Sequence, residues 1–110
     1  MKRPTSRSRQ PRRTQESDAD DHFFDRADAM INLANQQLES MTPGKVSAST
    51  LYAAARFNAW ASAMGWQSSE EMKAAKGETI DYFVEQYRAM LIENLDDYAA
   101  NFDQYMRPTN

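Results

Sequence analysis

His22 is the one histidine of the chain, and it stands between Asp20 and Asp21 on one side and Asp25 on the other. An imidazole beside three carboxylates is the start of a metal site, but a transition metal generally wants more nitrogen or sulfur donors than one ring supplies. With no cysteine present, thiolate ligands, disulfides and thiol nucleophiles are excluded. The spacing reads better as a helix start. Asp20 and Asp21 can cap it, their charge suits the positive end of a helix dipole, and His22 is structural or solvent-exposed.

A second acidic set, Glu93, Asp96, Asp97 and Asp103, lies near the other end. Glu93 and Asp97, four apart, share one side of a helix, as a pair for a hard cation or for acid–base work would. The Glu-x-x-His arrangement of di-iron bundles is missing, and a solvated acidic face is the better reading. Acids near a helix carboxyl end oppose the dipole by about 0.3–1 kcal/mol each, so a basic partner or the chain's own basic arm is expected to compensate them.

Arg56 and Asn58 interrupt an otherwise apolar stretch. If that stretch is buried, the guanidinium needs a carboxylate, because a lone buried charge is very costly. Asp81 and Glu85 are the candidate partners, with Asp28 a further one, and together they make a candidate polar site able to hold a small anion. Structural pairing is the better reading of it. Tyr82, Tyr87, Tyr98 and Tyr105 could line a pocket, though the edge of a core is the usual place for such residues. No Gly-rich phosphate loop, Ser–His–Asp set or nucleophile elbow is present. No catalytic residue, cofactor site or metal ligand is therefore assigned, no cofactor is expected, and the chain is read as non-enzymatic.

The elements that would carry these residues are all helical. Phe23, Ala27, Met30, Ala34, Leu38 and Met41 recur at spacings of three and four, widened by Phe24 and Ile31, which predicts a first helix from about His22 to Met41. "TPG" at 42–44 is expected to stop it. "SASTLYAAARFNAWASAMGW", residues 47–66, predicts a second helix that is apolar on nearly every side, capped by Ser47 and closed by Gly65 with Trp66 behind it. From Ser68, with Glu71 three residues on as in a capping box, a third helical region runs to about Tyr105. Its long stripe is Ile80, Val84, Tyr87, Leu91, Leu95, Tyr98, Phe102 and Tyr105, and Gly77 is the expected place for a break. The fold class is all-α, a small three-helix bundle, or a four-helix one if Gly77 divides the last region.

A helix without a polar face is expected between two amphipathic neighbours, so the second helix is read as the middle of the bundle, buried on two sides. The alternative is that part of it stays exposed and a second copy or another protein covers it. Phe57, Trp60, Met64 and Trp66 are the candidate interface, since tryptophan is enriched where interfaces are energetically hot. A central arginine argues against a bilayer span.

Composition is that of a small soluble protein: 110 residues, 41% hydrophobic and 26% charged, with a mean hydropathy of −0.83. The net charge of −3 hides a split. Lys2, Arg3, Arg7, Arg9, Arg12 and Arg13 fall in the first fifteen residues with no acid, leaving seven cations against sixteen acids in the rest. Residues 1–20 are expected to form a disordered basic arm, too poor in apolar side chains to order itself, and 21–107 the helical domain. The arm carries no aromatic residue, so any nucleic-acid binding through it would be electrostatic and blind to sequence.

"RADAMINLANQQL" (26–38), "GKVSASTLYAAARFNAW" (44–60), "EEMKAAK" (70–76) and "DYFVEQYRAMLIENLDDYAANF" (81–102) resemble a set of small proteobacterial proteins catalogued as domain of unknown function 3144, over about residues 23–102. The resemblance implies a bacterial, cytoplasmic setting and one compact helical domain. It implies no activity and supplies no site residue. The leading functional expectation is a non-catalytic helical interaction module that binds a partner protein or itself, with no membrane involved. The alternatives are a small-anion-binding or enzymatic domain centred on Arg56, and weak nucleic-acid binding through the arm.

Overall fold

The computed structural model describes residues 20–107. Five helices follow one another: α1 Phe23–Gln37, α2 Pro43–Ala63, α3 Ser69–Ala74, α4 Lys76–Ala100 and α5 Phe102–Met106. No strand occurs among the described residues, so the chain is all-α. Backbone proximity groups it into two units that meet between Tyr52 and Ala53, inside α2. The six cations of the basic arm lie outside the described residues.

In the first unit, α1 begins after His22, whose side chain makes no capping bond. Asp20 takes the Arg26 guanidinium at 2.6 Å instead, and Asp25 supplies the acid of the first turn. The helix ends earlier than its apolar pattern. Its last turn tightens, with the amides of Leu38, Glu39 and Ser40 each donating three residues back, which occupies carbonyls a helix end otherwise leaves open. The buried side is also rotated from the expected stripe. Phe23, Met30 and Met41 are exposed, while Phe24, Ala27, Ile31, Ala34 and Leu38 are half-buried. Asp28, 8% exposed, and Asn35, half-buried, lie seven apart on that same side.

Pro43 opens α2 rather than stopping α1. A proline at the first helical position loses no hydrogen bond, because that amide has no partner within the helix. The Thr42 carbonyl accepts the amide of Val46 at 3.1 Å, so the helix starts four residues before the expected cap at Ser47. Val46 is the buried apolar side chain of the described residues, at 9% exposure. A glycine carboxyl cap of the kind expected at Gly65 usually takes the left-handed conformation. No glycine among the described residues has a positive φ. The chain leaves α2 through two tight turns, Gly65 N–H to Ser62 and Trp66 N–H to Ala63.

In the second unit the capping box is formed. The Ser68 hydroxyl accepts the Glu71 amide at 3.1 Å, and the Glu71 carboxylate accepts the Gln67 amide at 2.8 Å. The third helical region does divide, but at Ala75. Gly77 sits inside the first turn of α4, with open space where a Cβ would be. A further break at Asn101 separates α5 from α4.

The expected burial of the second helix is overturned. Leu51 and Tyr52 are exposed, as are Phe57 at 62%, Trp60 at 57% and Met64 at 69%. Periodicity shows which side of a helix is apolar but not whether the same chain covers it.

Candidate protein-interaction face

The last two turns of α2 carry the clearest feature. Phe57 and Trp60, three residues apart, pack ring to ring with centroids 5.4 Å apart and planes tilted by 44°. Met64 follows one turn on, so the three share one strip of helix surface. All three stand largely in solvent. Trp66, just past the helix, is exposed as well, at 40%. Single exposed apolar residues are ordinary on a protein surface, whereas contiguous ones mark a place that something covers. The four residues proposed as an interface from sequence are therefore all available for contact.

The long stripe of α4 is similarly open. Ile80, Val84, Tyr87, Leu91 and Leu95 are each exposed. Their spacing of three and four keeps them on one side through about four turns. Acids flank the stripe at Asp81 and Glu85 near one end and at Asp96 near the other.

The candidate polar site is not assembled. Arg56 is exposed and Asn58 half-buried. Among the described residues no ion pair joins Arg56 to Asp81 or Glu85. Glu85 instead stands 3.7 Å from Arg88, a solvent-exposed pairing that contributes little. Because α2 is not buried here, Arg56 keeps its hydration and needs no internal counter-ion.

The two acidic sets also resolve into local structure. His22 Nδ1 lies 3.2 Å from Asp25 Oδ2 on the open surface at the head of α1. At the far end, Asp97 is held by neutral donors. Tyr105 donates its hydroxyl to Asp97 Oδ2 at 2.9 Å. Asn101 donates its amide to Asp97 Oδ1 at 3.1 Å and to the Asp97 carbonyl at 3.0 Å. No basic residue lies in the last turn of α4, so at Asp97 hydrogen bonds take the place of the basic partner expected from the helix dipole. Tyr98 and Tyr105 stack beside this cluster with centroids 4.7 Å apart. Asp97, read from sequence as part of a solvated acidic face, is instead part of a tie between α4 and α5.

The sequence reading takes Asp28 only as a partner for Arg56 and does not place it with Asn35 on the inner side of α1. Asp28 and Asn35 occupy the same helix side as Phe24, Ala27, Ile31 and Leu38. The signal was present as two polar residues seven apart in register with an apolar stripe, but a search for apolar periodicity passes over it.

A family model described as Protein of unknown function (DUF3144) matches residues 23–99. The chain is also similar to the protein NB7890A from Shewanella sp, whose structure was solved by NMR. That likeness is 41% in sequence identity, with a TM-score of 0.67, and covers 80% of this chain and 94% of the other. No curated protein matches.

Proposed function

This chain belongs to the DUF3144 family, and for it we propose a non-catalytic helical interaction module whose docking face is the carboxyl-terminal half of α2. The observation that carries this reading is the Phe57–Trp60–Met64 strip, apolar, contiguous and 57–69% exposed. Truncating an aromatic anchor in such a strip commonly costs an interface at least about 2 kcal/mol. The flat composition of the strip also argues for binding over chemistry, since none of its three side chains can act as acid, base or nucleophile. Arg56, one residue away, adds the third residue type that interfaces favour beside Trp and Tyr.

Anilinonaphthalene sulfonate reports this directly, because it brightens on exposed apolar surface. The dilute full-length protein should enhance the dye, and a Phe57→Ser, Trp60→Ser variant of unchanged helix content should do so much less. Equal enhancement by both proteins would remove the strip from the proposal. The bacterial cytoplasm is the proposed setting; no helix among the described residues is long and apolar enough to cross a membrane.

A further inference from the structure

We infer that the occupant of the α2 face is a second copy of this chain, which lays its α4 stripe against Phe57, Trp60 and Met64 and brings its Glu85 to Arg56. The inference rests on the docking-face reading above and names the partner.

Three observations carry it. First, both halves of a contact are present on one chain and neither is covered. The α2 face exposes two aromatic rings and a methionine, and the α4 stripe exposes Ile80, Val84, Tyr87, Leu91 and Leu95. Face meeting stripe, and stripe meeting face, is a closed two-fold arrangement in which each contact occurs twice.

Second, the charges are complementary. α2 carries Lys45 and Arg56 and no acid, while α4 carries Asp81 and Glu85 beside its stripe and is acidic overall. Two copies of α4 placed side by side in parallel would set like acids against one another, which costs several-fold in affinity at each site. An α2 face against an α4 stripe avoids that and gives Arg56 a carboxylate that no ion pair supplies among the described residues.

Third, the area is sufficient. Side chains of this kind bury roughly 150–250 Å² each when aromatic. The eight side chains of face and stripe, three of them aromatic and five smaller, are about half exposed and offer on the order of 700 Å² per chain, close to what a standard interface buries on each side. Methionine at the edge of the face suits this use, because its unbranched side chain adapts to an irregular opposing surface.

A charge exchange tests the pairing between chains. Arg56→Glu and Glu85→Arg are both at exposed positions, so each variant should keep the helix content of the parent by circular dichroism. In sedimentation from low to high micromolar concentration, the full-length protein should move from monomer to dimer. Each variant alone should associate at least about tenfold more weakly, since both of its contacts then oppose like charges. Mixed in equal amounts, the two variants should associate as tightly as the parent, because each heterodimer restores two opposite-charge contacts. Failure of the mixture to recover, or variants that dimerise like the parent, would overturn the inference. A parent that stays monomeric throughout also overturns it. In that case dye enhancement by the monomer leaves the docking face standing for another partner, and absence of enhancement removes both readings.

Discussion

The Tyr105 hydroxyl donates to Asp97 Oδ2 across the break at Asn101, 2.9 Å from oxygen to oxygen. Eight residues separate the two in sequence, more than two turns of a continuous helix. The bond ties α5 to the last turn of α4, and the Tyr98–Tyr105 ring contact accompanies it. Tyr105→Phe keeps the ring and removes the donor, so it should cost about 0.5–1.5 kcal/mol, the net worth of one hydrogen bond. Asp97→Ala removes the carboxylate that accepts from both Tyr105 and Asn101, leaving Asn101 only the backbone carbonyl, and should cost more. Amide exchange at the last turn of α4 and in α5 should accelerate in both variants while α1 keeps its protection.

Gly77 gives a prediction whose sign is diagnostic. It sits in the first turn of α4 with open space where a Cβ would be, and its φ is not positive. Gly77→Ala should therefore stabilise the protein, by about 0.5–1 kcal/mol at most, by favouring the helix over the unfolded chain. A rise in the midpoint of urea unfolding is the expected result. If Gly77 were the helix breaker that its residue type suggests, alanine there would be strained and the midpoint would fall.

The capping box at the head of α3 supports a helix of only six residues. Such a helix is too short to persist on propensity alone. Ser68→Ala should cost about 1 kcal/mol and should expose the Glu71 amide to exchange. Glu71→Ala removes the reciprocal bond to the Gln67 amide and should produce the same local fraying. Ser68→Asp, which keeps an acceptor at the cap, should retain most of the protection.

Much of the local structure was legible because residue types act locally. Ser68 and Glu71 announce their own bonds, and the stripes of α1 and α4 announce helices. Where two local signals compete, the sequence is ambiguous. Pro43 and Gly44 read as a stop after α1, yet the same proline is favourable as the first residue of α2. Gly77 reads as a break, but the break falls two residues earlier at Ala75. The candidate site was legible in part. Phe57, Trp60, Met64 and Trp66 are exposed as an interface requires, whereas the lack of a polar side predicts a second helix buried on two sides. An apolar surface states that it needs covering. It does not state that its own chain supplies the cover, and so the proposed pairing of Arg56 with Glu85 could be sought only within the chain.

Quenching of Trp60 by acrylamide reports whether the Trp60 face is open in the single chain. A Trp66→Phe variant isolates its signal. At a dilution where sedimentation shows monomer, an open face gives strong quenching, with a red-lying emission maximum typical of an indole in water. Both signatures should fade as concentration rises and the face is covered. A Trp60 shielded from acrylamide in the dilute monomer would mean that its own chain covers the face, and neither the docking face nor the dimer would stand.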